Sequence, residues 1–365
     1  LKSLSTLWTA VLTFARRELA GLAHIHPSDR PWQMPFAAAL ASGLPIAVGA
    51  SFDHLNYGLV SSLGGLVFLY LPDTPLHHRM VSLMACSFGM AACYALGILS
   101  QFVPPLMTPV LIFIAISVTM ICRYYRLGPP GSLFFIMAAS IGAYSPVDIL
   151  EVPMRVGLLI MGCLLAGLIA LVYSLHMSLL RTPRPVPPVE PASFDFVVFD
   201  PVVIGAFVGV SLALGQALAM PSPYWVPVSC LAVIQGISVR AVWDRQLHRI
   251  VGTGFGILVA WGLLTLPLDK WSICVMMTAL AFVIETLVVR NYGMAVVFIT
   301  PLTIFLVEAG GFGPGMPSTL IEARLLDTIL GSAVGLAGGI CLHSPGFRRR
   351  GGALLRRVIP SRLMP

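Results

Sequence analysis

Apolar positions in this chain run in long blocks, not at a helical or strand period. The blocks lie at about 34–52, 57–71, 80–102, 105–122, 131–145 and 153–176, then at about 200–220, 224–236, 248–267, 271–289, 292–307 and 321–343. A helix rises 1.5 Å per residue, so roughly 20 apolar residues cross about 30 Å of hydrocarbon. Between the sets lies Arg181-Thr182-Pro183-Arg184-Pro185-Val186-Pro187-Pro188-Val189-Glu190-Pro191, which cannot continue a helix and reads as an extended linker. The pattern predicts an all-α integral membrane protein of about 12 transmembrane helices in two six-helix repeats. The predicted divisions are a cytoplasmic N-terminal segment (1–30), a first membrane repeat (31–180), a Pro-rich cytoplasmic linker (181–199), a second repeat (200–344) and a basic cytoplasmic tail (345–365).

The two sets share more than hydropathy. Met34-Pro35, Gly43 and Ala47-Val48-Gly49 return as Asp200-Pro201, Gly209 and Ala213-Leu214-Gly215, an offset of 166; His78-Arg79 returns as His248-Arg249 at 170, and Arg155 with Gly162 returns as Arg324 with Gly331 at 169. Weak internal repeats of this kind mark transporters, whose substrate sites lie where the repeats meet. With the N-terminus cytoplasmic, all but Arg155, Lys270 and Arg324 of the 22 Lys and Arg residues fall inside, the bias expected of a correctly counted topology. An even number of spans per repeat makes the copies parallel, with the pseudo-axis along the membrane normal.

Two pairs of blocks are too short to span comfortably. Tyr57–Leu71 and Tyr224–Gly236 are broken by Gly64, Gly65, Pro221, Pro223 and Pro227, and Gly131–Ser145 pairs with Tyr292–Val307, which contains Pro301. Short or Gly/Pro-interrupted segments at matching places point to a substrate site, because freed backbone groups are tolerated at depth only around a cavity or inside protein. The plainer reading makes them tilted supports.

Composition agrees with a lipid solvent: 57% of residues are hydrophobic, only 10% are charged, and mean hydropathy is +0.90. Soluble domains carry about 25% charged residues. The seven cysteines all sit in apolar stretches without C-x-x-C or His/Cys ligand spacing, so they read as core residues and no metal or cofactor is expected. No small-residue cleavage site follows the helix-like stretch Leu4–Ala23, so no cleavable signal is expected. The net charge of +7 sits at span ends and not in a basic, aromatic-interleaved stripe, which argues against nucleic acid. No H-E-x-x-H, G-x-S-x-G or P-loop is present, so the chain is not expected to be an enzyme.

The candidate residues follow from charge placed in apolar surroundings. Arg155 and Arg324 occupy matching positions in the sixth and twelfth blocks. A charge in a span usually faces a bundle interior, and a guanidinium fork suits a carboxylate; snorkelling, or pairing with Glu151 and Glu322, is the structural alternative. Asp327 lies one turn beyond Arg324, whereas the first repeat has Leu158 there. Asp327 and Glu285 are the proton-coupling candidates, against local pairing with Arg324 and Arg290. Tyr57, Tyr224, Trp225 and Tyr292 open the short blocks, as an interfacial belt or as stacking surfaces for an aromatic substrate, and Gln235 closes the eighth. Arg79 and Arg249 open matching blocks as inner-face anchors or a cytoplasmic vestibule that concentrates anions.

Tyr224-Trp225-Val226-Pro227, Gln235-Gly236, Arg240, Arg245, Arg249, Gly252-Thr253-Gly254-Phe255-Gly256 and Arg324-Leu325-Leu326-Asp327-Thr328-Ile329-Leu330-Gly331 together resemble the FUSC family, the fusaric acid resistance-like and aromatic acid exporter proteins. The resemblance lies in the second half and implies a bacterial inner-membrane secondary transporter, proton-driven, exporting aromatic carboxylates or similar organic anions. It also implies a membrane-only member, since relatives carry sizeable cytosolic domains after each membrane half. Aluminium-activated malate transporters look like distant cousins and give the alternative, a passive organic-anion channel. The expected partners are a small organic-anion substrate and the lipid bilayer, with a homo-oligomer or a periplasmic adaptor protein left open.

Overall fold

The computed structural model describes Thr13 and residues 24–188, 193–266, 269–309 and 317–358, with backbone alone for 307–309, 317–321 and 358. The helix-like stretch 4–23 apart from Thr13, together with Lys2, Arg16, Arg17, the linker residues 189–192, the Glu308 side chain and the last seven residues, lies outside that description.

Every apolar block forms a helix. In order they are α1 (Gln33–Ser51), α2 (Leu55–Gly65, continued as a 3-10 turn over Leu66–Tyr70), α3 (Leu76–Ser100), α4 (Met107–Tyr124), α5 (Leu133–Ala143) and α6 (Val152–Leu180). After the linker and a π-helical turn at Asp195–Phe199 come α7 (Asp200–Ala217), α8 (Trp225–Ile234), α9 (Val239–Leu264), α10 (Lys270–Leu287), α11 (Tyr292–Ala309), α12 (Pro317–His343) and α13 (Pro345–Val358). The described residues are helical without strands, and eight helices (α1, α3, α4, α6, α7, α9, α10, α12) are long and apolar enough to cross a membrane. The apolar segments 55–70, 133–143, 225–234 and 292–306 are shorter. At ten residues α8 is about 15 Å long, half a bilayer core.

Helices of the two halves pack in matching pairs. α2 lies on α1 and α6 as α8 lies on α7 and α12, and α3 lies on α5 and α6 as α9 lies on α11 and α12. Between the halves, α1 packs on α10 and α4 on α7, while α5 meets α8 and α2 meets α11. Glycines set these approaches. A methyl at Gly43 would strike Thr278 of α10, and one at Gly209 would strike Ile112 of α4, partners that stand the same 166 residues apart as the glycines themselves. Gly162 presses α6 onto the Ser61 carbonyl of α2, and Gly331 presses α12 onto Val226 and Ser229 of α8. Small residues let backbones close up where lipid offers no hydrophobic drive.

The helix stops match too. α1 and α7 end on left-handed residues, Asp53 (φ 60°) and Ala219 (φ 50°), and the next amide closes the turn, His54 N to the Gly49 carbonyl (2.8 Å) and Met220 N to the Gly215 carbonyl (3.0 Å). These are six-to-one closures of the Schellman kind.

The bundle has a basic end and an opposite end. At the basic end Arg123 Nη1 meets Asp200 (2.6 Å), Arg348 meets the same carboxylate (2.8 Å), and Arg30 meets Glu285 (3.2 Å). At the other end Lys270 pairs with Asp53, joining α10 to the end of α1. The Lys270 ammonium holds the exposed Asp53 carboxyl below the usual carboxylate range, and cap hydrogen bonds from Ser272 do the same for Asp269.

Two boundaries depart from the sequence reading. α9 begins at Val239, nine residues before the expected 248, and α13 forms in the basic tail, where no helix was expected. Both segments are too charged for a hydropathy window but carry ordinary helix signals. Ser238 caps α9 by accepting from Ala241 N (3.1 Å), and Arg240 pairs with Asp244 one turn on (3.0 Å).

Candidate functional site

The richest polar cluster is buried where α8, α9, α11 and α12 converge. Backbone contact at Gly331 and Gly335 fixes α12 on α8, and Gly252 and Gly256 fix α9 on α11 beside Gly293, Val297 and Thr300. That closeness carries side chains from four helices into one place.

Arg324 stands over the Trp225 ring, its Cζ 4.3 Å from the centroid, at the start of α8. One turn along α8, Ser229 Oγ accepts from Arg249 Nη2 (3.1 Å), and Arg249 Nη1 donates to the Tyr292 hydroxyl (3.0 Å). Tyr224 packs beside Trp225 (centroids 5.4 Å) and faces Tyr144 (5.7 Å). Arg249, Tyr224, Tyr292 and Asp327 all lie within electrostatic reach of Arg324. The Asp327 side chain is fully enclosed, with 0% of the residue exposed.

This cluster is not internally satisfied. Arg324 Nε and Nη1, Arg249 Nε and both carboxylate oxygens of Asp327 make no hydrogen bond among the described residues. An enclosed charge without partners costs several kcal/mol, and a buried polar group left unpaired about 1–3 kcal/mol. With both arginines charged and Asp327 ionised, the site carries one net positive charge. The arrangement therefore offers directed donors, a flat aromatic wall and a single acid.

The matching region of the first half is built differently. Arg155 stands over the Tyr57 ring (5.6 Å), but its Nη2 reaches Glu151 at 4.0 Å, and Leu158 occupies the position of Asp327. Arg79 is turned to the loop before α3, where Asp73 (2.7 Å) and the Thr74 carbonyl (2.5 Å) hold it. The structure thus makes Trp225, not Tyr224, the counterpart of Tyr57. It also separates Arg79 from Arg249: one stays at the basic end, while the other joins Arg324.

The remaining candidates are placed as follows. Glu285 is tied to Arg30 (3.2 Å) and not to the expected Arg290, because the segment before α1 crosses the end of α10. Gln235 Nε2 donates to Ser132 Oγ (3.0 Å), which also accepts from Thr119, so Gln235 links α8 to the start of α5. Sequence reasoning missed Ser229 and Asp73, each an ordinary residue until a helix crossing brings an arginine to it. Among the described residues no cluster of His, Cys, Asp or Glu could hold a metal ion.

A many-helix apolar bundle with a charged, incompletely paired interior has the build of a multi-pass membrane protein. Residues 204–338, which contain Trp225, Arg249, Tyr292, Arg324 and Asp327, match the family described as fusaric acid resistance protein-like, FUSC. An uncharacterized membrane protein of Bacillus subtilis (strain 168), YvaC, is 24% identical over 484 aligned positions covering 92% of this chain and 76% of its own length. An uncharacterized protein of Escherichia coli (strain K12), YhfK, is 25% identical over 139 positions, 38% of this chain and 19% of its own. No solved structure matches the chain.

Proposed function

We propose that this protein is a secondary transporter that exports organic anions, aromatic carboxylates foremost, across a bacterial inner membrane. The observation that carries the reading is the buried Arg324 and Asp327 beside Arg249, with Arg324 Nε and Nη1 and both Asp327 oxygens free of hydrogen bonds among the described residues. A monovalent carboxylate would neutralise the site's single net charge and give the free guanidinium donors an acceptor. Trp225 and Tyr224 supply an aromatic wall for an apolar body. The N-terminus of the half-length α8 opens at the same spot, and half-helix N-termini favour anions. The family description, fusaric acid resistance protein-like, supports export of an aromatic acid. Asp327 is the proposed proton carrier, sharing the site with the arginine that the substrate would engage.

In this reading the chain holds twelve membrane helices in two parallel repeats, with both termini cytoplasmic. The matched packing of α1–α6 and α7–α12 and the concentration of arginine at one end support that arrangement.

The test is flux of an aromatic carboxylate such as benzoate from proteoliposomes under an imposed pH gradient. Wild-type protein is expected to drive flux, and Asp327→Asn to lose gradient-driven flux while keeping a leak. Flux unchanged in Asp327→Asn would assign a passive anion channel instead, and no flux by wild-type protein for any aromatic acid would end the proposal.

A further inference from the structure

The C-terminal helix α13 has two faces with different duties. Arg348, Gly351, Gly352 and Leu355, spaced as one helical stripe, turn inward. Arg348 stacks on Phe199 (5.3 Å) and pairs with Asp200 and Asp195; Arg356 at the edge of the stripe stacks on Phe194 (4.9 Å) and pairs with Asp195 (3.3 Å). These contacts pin α13 beside the π-helical turn at the basic end of the bundle, directly after the α12 span. On the outward arc, Arg349, Arg350 and Arg357 make no ion pair among the described residues. Next to them on the wheel stand Leu354 and Phe347, 65% and 41% exposed. The helix contains no acidic residue.

We propose that the outward arc of α13 binds anionic phospholipid headgroups of the leaflet at the basic end, with Leu354 and Phe347 seated in the acyl boundary. Charge complementarity selects the occupant: a cationic arc bordered by an apolar edge matches a headgroup layer above hydrocarbon, the geometry of an interfacial amphipathic helix. The membrane is also close at hand, because the preceding helix crosses it. Each arginine near an anionic surface strengthens attachment about fivefold. Since Arg348 joins α13 to Asp200, which also holds Arg123 of α4, lipid charge would bear on the junction of α4 with α7.

Hydrogen–deuterium exchange of residues 345–358 in the full chain tests this, in nanodiscs of phosphatidylcholine alone and of phosphatidylcholine mixed with phosphatidylglycerol. Anionic lipid is expected to slow exchange of α13 in wild-type protein, with the slowing lost at high salt. The variant Arg349→Gln/Arg350→Gln/Arg357→Gln keeps Arg348 and Arg356 and is expected to lose the effect, with exchange in the spans unchanged as the check on folding. Equal exchange in both lipid mixtures, or protection that survives in the triple variant, overturns the proposal. Protection reproduced by inorganic phosphate in phosphatidylcholine would assign the arc to a soluble anion and also overturn it.

Discussion

The regions around Arg155 and Arg324 share a scaffold and differ in what they leave unsettled. In both, a guanidinium lies over an aromatic ring at the start of a short helix, and a glycine seven residues on presses the long helix against that short one. In the first half Arg155 Nε is likewise buried without a hydrogen bond, but Glu151 comes within 4.0 Å of that arginine, Arg79 is paired with Asp73, and Leu158 adds no charge. In the second half the equivalents of all three converge: Arg249 swings inward to Ser229 and Tyr292, and Asp327 takes the place of the leucine. The packing is alike in both halves, while the buried polar groups gather in the second. The family match falls on that half.

The largest expected effect separates the two arginines. Arg324→Gln should weaken carboxylate flux about 30-fold or more, the cost of truncating one partner of a buried charge pair, whereas Arg155→Gln should change it less than about threefold; equal losses would mean that both halves carry the path. Next, Leu158→Asp places an acid in the first half without a second arginine. It should destabilise the protein by about 2.5–3.5 kcal/mol, the scale for a charge inside a span, read as a lower unfolding midpoint in detergent. The shared scaffold predicts equality instead. Gly162→Ala and Gly331→Ala should each cost about 1–3 kcal/mol through overpacking, and a large difference between them would break the structural match. The smallest effect concerns Asp53→Asn at the opposite end. The Lys270 ammonium holds the folded Asp53 carboxyl below its ordinary value of 3.8, so the pairing contributes above that pH and fades as pH falls through the folded value. The variant should therefore lower Tm slightly at neutral pH and match wild type in strong acid.

Much of the fold was legible because lipid enforces a simple rule: backbone groups must be satisfied within the helix, so apolar length reads directly as helix. The close helix approaches were legible through Gly43 and Gly209, whose neighbours leave no room for a side chain. Hydropathy was silent where helices leave the apolar layer, hence the late start assigned to α9 and the missed α13. For the candidate site, Arg324, Asp327, Trp225 and Tyr292 were visible as polar or aromatic residues out of place. Their convergence with Arg249 was not, because the repeat pairs Arg249 with Arg79 and nothing local distinguishes an arginine at a helix mouth from one turned inward. That distinction comes from the extra turns of α9, which set Arg249 ten residues inside its helix while Arg79 stands three residues inside α3.

The reciprocal seating of α1 on α10 and of α4 on α7 carries a further consequence. Each half clasps the other's opening helix, so packing as well as the chain between them joins the halves. Pulling the halves apart would strip a helix from each, whereas sliding along the two seams would not. A chain severed between Pro187 and Pro188 should stay one particle, its two fragments as inseparable as interlocked hands.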